Sequence, residues 1–527
     1  MMSTELVLFL VVGVGVGLVL LAPRIAVPYP VLVLAGGVAL GFLPGMPTVS
    51  VSPDVVLLVL LPPLLYSAAF FIPLGELRAN LRPIGVLAVL VVILTTVAVA
   101  AAAHLALGLA WPVAFVLGAI VSPTDPTAVE AIGQRLAVPR RLISIIQGES
   151  LVNDGMALTI YASAVSAVVG GAASAPAVLG RFAFSVVGGV AIGLGVGWLL
   201  AHVRARVDSP PEELALSLLG AYAAYLPAQY VGASGILAVV AIGAYHGRRQ
   251  HDLISASTRI QTFSFFEILV FLINAGLFIL IGLRLPSILE DLHGYSAGEL
   301  LADAALIVGV VVVVRVLWVL GASALLRRVD RERRGTRALP RRYSLVVALT
   351  GMRGAVSLAA ALSLPLTGVH GGAFPERDLL VFLAFAVIVA TLVPQGLGLP
   401  LLLRRLGLEG DADVEREENE ARLEVARAAG ERLGELRGEP WVRDNTAERL
   451  AGVYAFRERR FAARLQEGDS DGVEERSADY QRLRRELLGA ERDTLVRLRD
   501  DGHIDGDVMR RIERDIDLED NRLDPEP

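Results

Sequence analysis

The stretch 148-GESLVNDGMAL-158 sets Glu149, Ser150, Asn153 and Asp154 in the middle of a long apolar run. A charge at mid-bilayer costs roughly 2.5–3.5 kcal/mol even on an insertion scale, so such residues face a protein interior or a water-filled cavity and mark a pathway. Ser150 and Asp154 are four residues apart and share one helical face. Glu149 and Asn153 are also four apart and lie about 100° round the helix. Hydroxyl and carboxylate oxygens suit a hard cation such as Na⁺. No histidine or cysteine stands nearby to suit a transition metal.

Outward from this stretch the chain divides in two. Of its 527 residues 54% are hydrophobic, and the apolar residues collect in runs whose lengths suit a bilayer crossing. Of the 54 acidic residues, 20 precede residue 409 and 34 follow from it. The reading is a transmembrane domain over 1–408 and a charged helical domain over 409–527. There is no cysteine, which excludes disulfides and thiolate chemistry, and all 48 basic residues are arginine. The net charge of −6 comes mostly from the tail and gives no basis for nucleic-acid binding. The first apolar run lacks a basic start and a small-residue cleavage site, and reads as a retained span.

Thirteen spans are predicted, at 5–23, 29–44, 53–72, 83–108, 111–133, 142–169, 179–203, 212–230, 233–247, 261–285, 299–326, 343–366 and 378–403. With the N-terminus outside, 21 arginines fall in cytoplasmic loops and three, Arg181, Arg284 and Arg377, fall outside. The positive-inside rule thus supports thirteen spans with the tail in the cytoplasm. The tail alternates Glu and Asp with Arg at helical spacings, as in 415-EREENEARLEVARAAGERL-433. It reads first as solvated helices laced by i,i+4 pairs, with a regulatory or dimer-stabilising domain as the functional alternative.

The ionisable residues read as deeply placed are Asp125, Glu149, Asp154, Glu267, Arg315 and Arg353. In 121-VSPTDPTAVEAIG-133, Pro123 and Pro126 bracket Thr124 and Asp125. Each proline removes an amide donor, and the residue before Pro126 is pushed out of helical geometry. The fifth span is therefore expected to break at mid-membrane into half-helices whose ends face an ion. In 349-LTGMRGAVSLAAAL-362, Gly351 and Gly354 flank Arg353 and permit a second break. The two spans have opposite parity and equivalent places in two sets of six, the layout of an inverted repeat. Arg315 has no other charge for eleven residues on either side, so it needs a partner: Glu149 by depth, with Glu267 as the alternative.

These residues resemble the NhaP-type monovalent cation:proton antiporters, related to eukaryotic sodium/proton exchangers. The motifs that carry the resemblance are LLPPLLYSAAFF at 60–71, SPTDP at 122–126, GESLVND at 148–154 and GMRGAVS at 351–357. It covers residues 5 to 405 or so. It implies an all-α polytopic membrane protein with inverted repeats and two crossed broken helices. It also implies a homodimer in the plasma membrane that works by alternating access, with a monovalent cation and protons as its partners and no cofactor. The implied Na⁺ site is Thr124, Asp125, Ser150 and Asp154, with Asn153 beside them. Glu149 and Arg315 match the family's core salt bridge, and Arg353 matches an arginine of its second broken helix. An Asn-Asp pair is the family's mark of electroneutral exchange. Several relatives carry an acidic residue where this chain has Tyr66-Ser67.

Two rival readings belong to other classes. The stretch 232-GASG-235 looks like a rhomboid-type serine protease motif, but the only nearby histidine, His246, stands at the mouth of a span; two intramembrane aspartates suggest an aspartyl protease, but no GxGD lies in a span. A cation channel needs a continuous pore and has no use for a titrating pair at broken helices.

Overall fold

A computed structural model describes residues 4–523 except 26, 45, 47–51, 73–80, 137, 171–174, 208, 293, 333–339, 369–371, 409–411, 466–471 and 522. Arg78, Arg333, Arg334 and Arg337, counted above as cytoplasmic, lie outside the described residues. The chain forms two compact units, Met1–Gly410 and Asp411–Pro527. Among the described residues the only β pairing is an isolated bridge between Thr367 and Ala373.

The helices of the first unit are α1 (Thr4–Ile25), α2 (Tyr29–Gly41), α3 (Pro53–Phe71), α4 (Leu81–Leu107), α5 (Trp111–Val121), α6 (Thr127–Leu136) and α7 (Arg140–Gly170). They continue with α8 (Ala175–Arg204), α9 (Pro210–Tyr230), α10 (Gly235–Arg248), α11 (Ala256–Asp291) and α12 (Ala297–Glu332). The unit ends with α13 (Arg341–Leu349), α14 (Ala355–Leu362) and α15 (Arg377–Leu406). Among the described residues, seven helices are long and apolar enough to cross a membrane: α3, α7, α15 and the apolar parts of α4, α8, α11 and α12. Every predicted span falls on a helix or, for the fifth and twelfth, on a pair of short helices.

Packing sorts these helices into two sets. In one, α4 lies against α5, α7 and α12, and α15 lies against α12 and α14. In the other, α2 runs along α11, and α10 packs against α3, α8 and α9. The sets meet where α11 touches α14 and α15, and where α10 and α8 touch α7. α7 keeps its helix through the polar stretch because it contains no proline, and its hydroxyls bond back along the helix, as Thr159 does to the Gly155 carbonyl at 2.7 Å.

The second unit holds α16 (Ala412–Leu436), α17 (Asp444–Leu465), α18 (Val473–Asp500) and α19 (Gly506–Asp520). Its apolar core is small. Leu488, Leu495 and Ile516 close the α18–α19 hairpin, while Arg427 reaches Glu458 from α16 to α17 at 3.0 Å.

Candidate functional site

The fifth and twelfth spans are both interrupted: residues 122–126 separate α5 from α6, and residues 350–354 separate α13 from α14. The two interruptions meet. The Asp125 amide donates to the Met352 carbonyl at 2.8 Å, and the Ala355 amide donates to Asp125 Oδ2 at 2.9 Å. Asp125 Oδ1 accepts from the Thr127 amide at 2.8 Å and from the Thr127 hydroxyl. One carboxylate thus caps the N-terminal ends of two half-helices, α6 and α14, where the helix dipole favours a negative charge. Arg353 does the converse. Its Nε donates at 2.9 Å to the carbonyl of Val121, the last residue of α5, where a cation is favoured. It also bonds the Gly351 carbonyl, and its amide donates to Thr391 Oγ1 at 3.1 Å.

The glycines of GMRG make room for this. A Cβ on Gly354 would fall on the Asp125 carboxylate, and one on Gly351 would fall on Arg315 Cδ and Nε. No residue with a side chain fits either position without displacing a charged group.

α7 lies against the first break. Ser150 Oγ donates to the Thr124 carbonyl, one of the acceptors that the break frees. The Thr124 hydroxyl stands 2.9 Å from the Asn153 side chain, and donates to its oxygen when the amide nitrogen is turned to the Ala88 carbonyl at 3.0 Å and the Glu149 carbonyl at 3.2 Å. That orientation satisfies every group and ties α7 to α4. Asp154 is buried, at 8% exposure, and within the electrostatic field of Asp125. Its Oδ1 finds no hydrogen-bond partner among the described residues.

The neighbouring face of α7 carries Glu149, which meets Arg315. Arg315 Nη1 donates to Glu149 Oε1 at 2.7 Å, and Nη2 donates to the Val347 carbonyl at 2.9 Å, so Arg315 joins α12 to α7 and α13. Glu267, the alternative partner, is exposed on α11. Ser67 turns its hydroxyl back to the Leu64 carbonyl at 2.8 Å.

Sequence reasoning missed a second buried polar cluster. Arg204, read as a loop residue, is 1% exposed at the end of α8. It reaches Glu213 of α9 at 3.3 Å and His246 of α10 at 3.2 Å. His246 is also 3.1 Å from the Tyr66 hydroxyl of α3 and 3.0 Å from the Gly197 carbonyl. The cluster locks four helices of the second set together. Its only sequence signal was His246 in an otherwise apolar run.

Interrupted helices that meet beside buried carboxylates define a class, the ion-coupled secondary transporters. The family model for the transmembrane sodium/hydrogen exchanger matches residues 7–405. A sodium/hydrogen exchanger of Mycobacterium tuberculosis is 37% identical over 98% of this chain and 95% of its own length. A sodium, potassium, lithium and rubidium/proton antiporter of Bacillus pumilus is 29% identical over 82% of this chain and 65% of its own length. The solved structure of the sodium proton antiporter MjNhaP1 from Methanocaldococcus jannaschii superposes with a TM-score of 0.59, at 20% identity, over 76% of this chain and 99% of that one. The chain belongs to the sodium/hydrogen exchanger family, as an NhaP-type cation:proton antiporter and not an enzyme.

Proposed function

We propose that the protein exchanges one Na⁺ for one proton across the plasma membrane by alternating access, without moving net charge. K⁺ and Li⁺ are the cations to test beside Na⁺, since the relative from Bacillus pumilus is named for all three. The cation is held by Asp154, Asp125, Thr124 and Ser150, with Asn153 at their side. The observation that carries this reading is Asp154, a buried carboxylate with a free oxygen beside Asp125 and the helix break. Both oxygens of Asp125 already accept bonds from helix ends, so Asp125 contributes a fixed charge. Asp154 takes either the cation or the proton. Asn153 is polar but does not titrate, which leaves one carboxylate to alternate between the two ions. In this reading the protein works as a homodimer, the N-terminus lies outside, and the unit 409–527 lies in the cytoplasm.

The deciding experiment reconstitutes the protein in vesicles and follows an internal pH dye as each cation is added. Wild type should collapse a preset pH gradient with Na⁺. Asp154→Asn should reach the membrane folded and exchange nothing. Exchange by that variant at the wild-type rate would remove Asp154 from the site.

A further inference from the structure

The oxygen groups do not stop at Asp125 and Asp154. One turn along α7 from Ser150, and on the same face, stands Gln147. Its Nε2 donates at 2.8 Å to Oε1 of Glu130, on α6. The pair repeats, a turn further along, the bond that Ser150 makes to Thr124. Both Glu130 and Gln147 are partly buried, as Asp125 is, whereas Thr124, Ser150 and Asn153 are fully buried. The polar ladder therefore opens step by step from the break toward the C-terminal end of α6.

Glu130 differs from the two fully buried glutamates of this unit. Glu149 is paired with Arg315, and Glu213 with Arg204. Glu130 has a neutral amide and, among the described residues, no arginine. A carboxylate held at that depth without a cation is costly, and a passing cation is the partner that relieves it. Glu130 also lies within the field of Asp125. Two further polar side chains stand near. Tyr29 of α2 feels the charges of both Asp125 and Glu130, and its hydroxyl lies beside the Asn274 side chain of α11. Asn274 is 3% exposed, and its Oδ1 bonds nothing among the described residues.

We propose that Glu130 is a third carboxylate of the ion pathway, which draws the cation toward Asp125 and Asp154 from the α6 side, with Gln147 fixing its position. The inference rests on the reading of Asp154 and Asp125 as the ion site. It assigns to Glu130 an electrostatic share in cation affinity and no part in the turnover step itself.

The test is Na⁺-dependent exchange in vesicles at alkaline pH, where protons compete least. Glu130→Gln should raise the apparent KM for Na⁺ severalfold, because it removes one unit of negative charge from the approach to Asp125 and Asp154. The maximal rate should change far less, and Glu130→Asp should restore the KM. Gln147→Lys should raise the KM while leaving the carboxylate in place, and this variant serves if Glu130→Gln does not fold. A wild-type KM in either folded variant, or a lowered maximal rate at unchanged KM, would overturn the proposal and leave Glu130 a structural residue. If wild type itself exchanges no cation for protons, the functional reading falls first. If wild type exchanges and only these variants behave as wild type, this inference falls alone.

Discussion

The Arg315–Glu149 pair shows what a buried charge demands of a single residue. Both side chains are nearly sealed from solvent, at 3% and 1% exposure. Neither is tolerable alone, since removing one partner of a buried pair leaves an uncompensated charge and costs roughly 3–5 kcal/mol. Arg315 also holds the Val347 carbonyl close to the second break, so its loss would loosen α13 as well as α7. Arg315→Ala should therefore unfold at a lower temperature than wild type in a detergent melt followed by size-exclusion chromatography. The double variant with Glu149→Ala should recover part of that loss, because it no longer leaves a carboxylate unpaired. Losses that simply add would mean that the two side chains do not act as a pair. The same logic separates these residues from Asp154, which is buried with no arginine partner among the described residues and is useful only if something else comes to neutralise it.

At the scale of elements, the two interrupted helices stabilise one another at their ends. Asp125 serves the N-termini of α6 and α14, while Arg353 serves the C-terminus of α5. Gly354 is the contact point, and a Cβ there would occupy the Asp125 carboxylate. Gly354→Ala should disrupt the site from a distance of one methyl group. Overpacking of this kind costs typically about 1–3 kcal/mol, and here it would also move a proposed ligand. The expected result is a lowered melting temperature together with loss of exchange. Gly195→Ala, on α8 with open space at its Cβ, is the control and should leave both unchanged. Exchange at the wild-type rate in Gly354→Ala would mean that the breaks tolerate separation. The breaks were legible in the sequence because proline and glycine act locally: Pro126 and Gly354 mark the interruptions wherever the chain folds. The polar face of α7 was legible through its four-residue spacing. The Arg204–Glu213–His246 cluster was not, because its members come from three helices and sit near helix ends. There a charge reads as a loop residue until packing buries it. Glu130 escaped although it lies inside the predicted fifth span, because the Gln147 side chain that bonds it comes from another helix.

At the scale of the whole molecule, the question is how many charges move per cycle. Among the described residues Asp154 is a buried carboxylate with a free oxygen and no arginine partner, and beside it stands Asn153 in place of a second carboxylate. Glu149 is neutralised by Arg315, and Asp125 is held at two helix ends. If cation and proton compete for Asp154, release of one permits binding of the other, and one cation replaces one proton. Two consequences follow that no single residue displays. Apparent cation affinity should weaken as pH falls, because protons then occupy the site. Turnover should be bell-shaped in pH, since at high pH too few protons are available to complete the return step. Both are read from initial exchange rates over a matrix of Na⁺ concentration and pH. The charge balance is read separately, by recording current from the reconstituted protein on a solid-supported membrane while proton flux is followed. Exchange should proceed with no sustained current. A steady current that grows with the exchange rate would require a second carboxylate to carry charge through the cycle, with Asp125 and Glu130 the first two to examine. An affinity independent of pH would instead mean that cation and proton do not share Asp154.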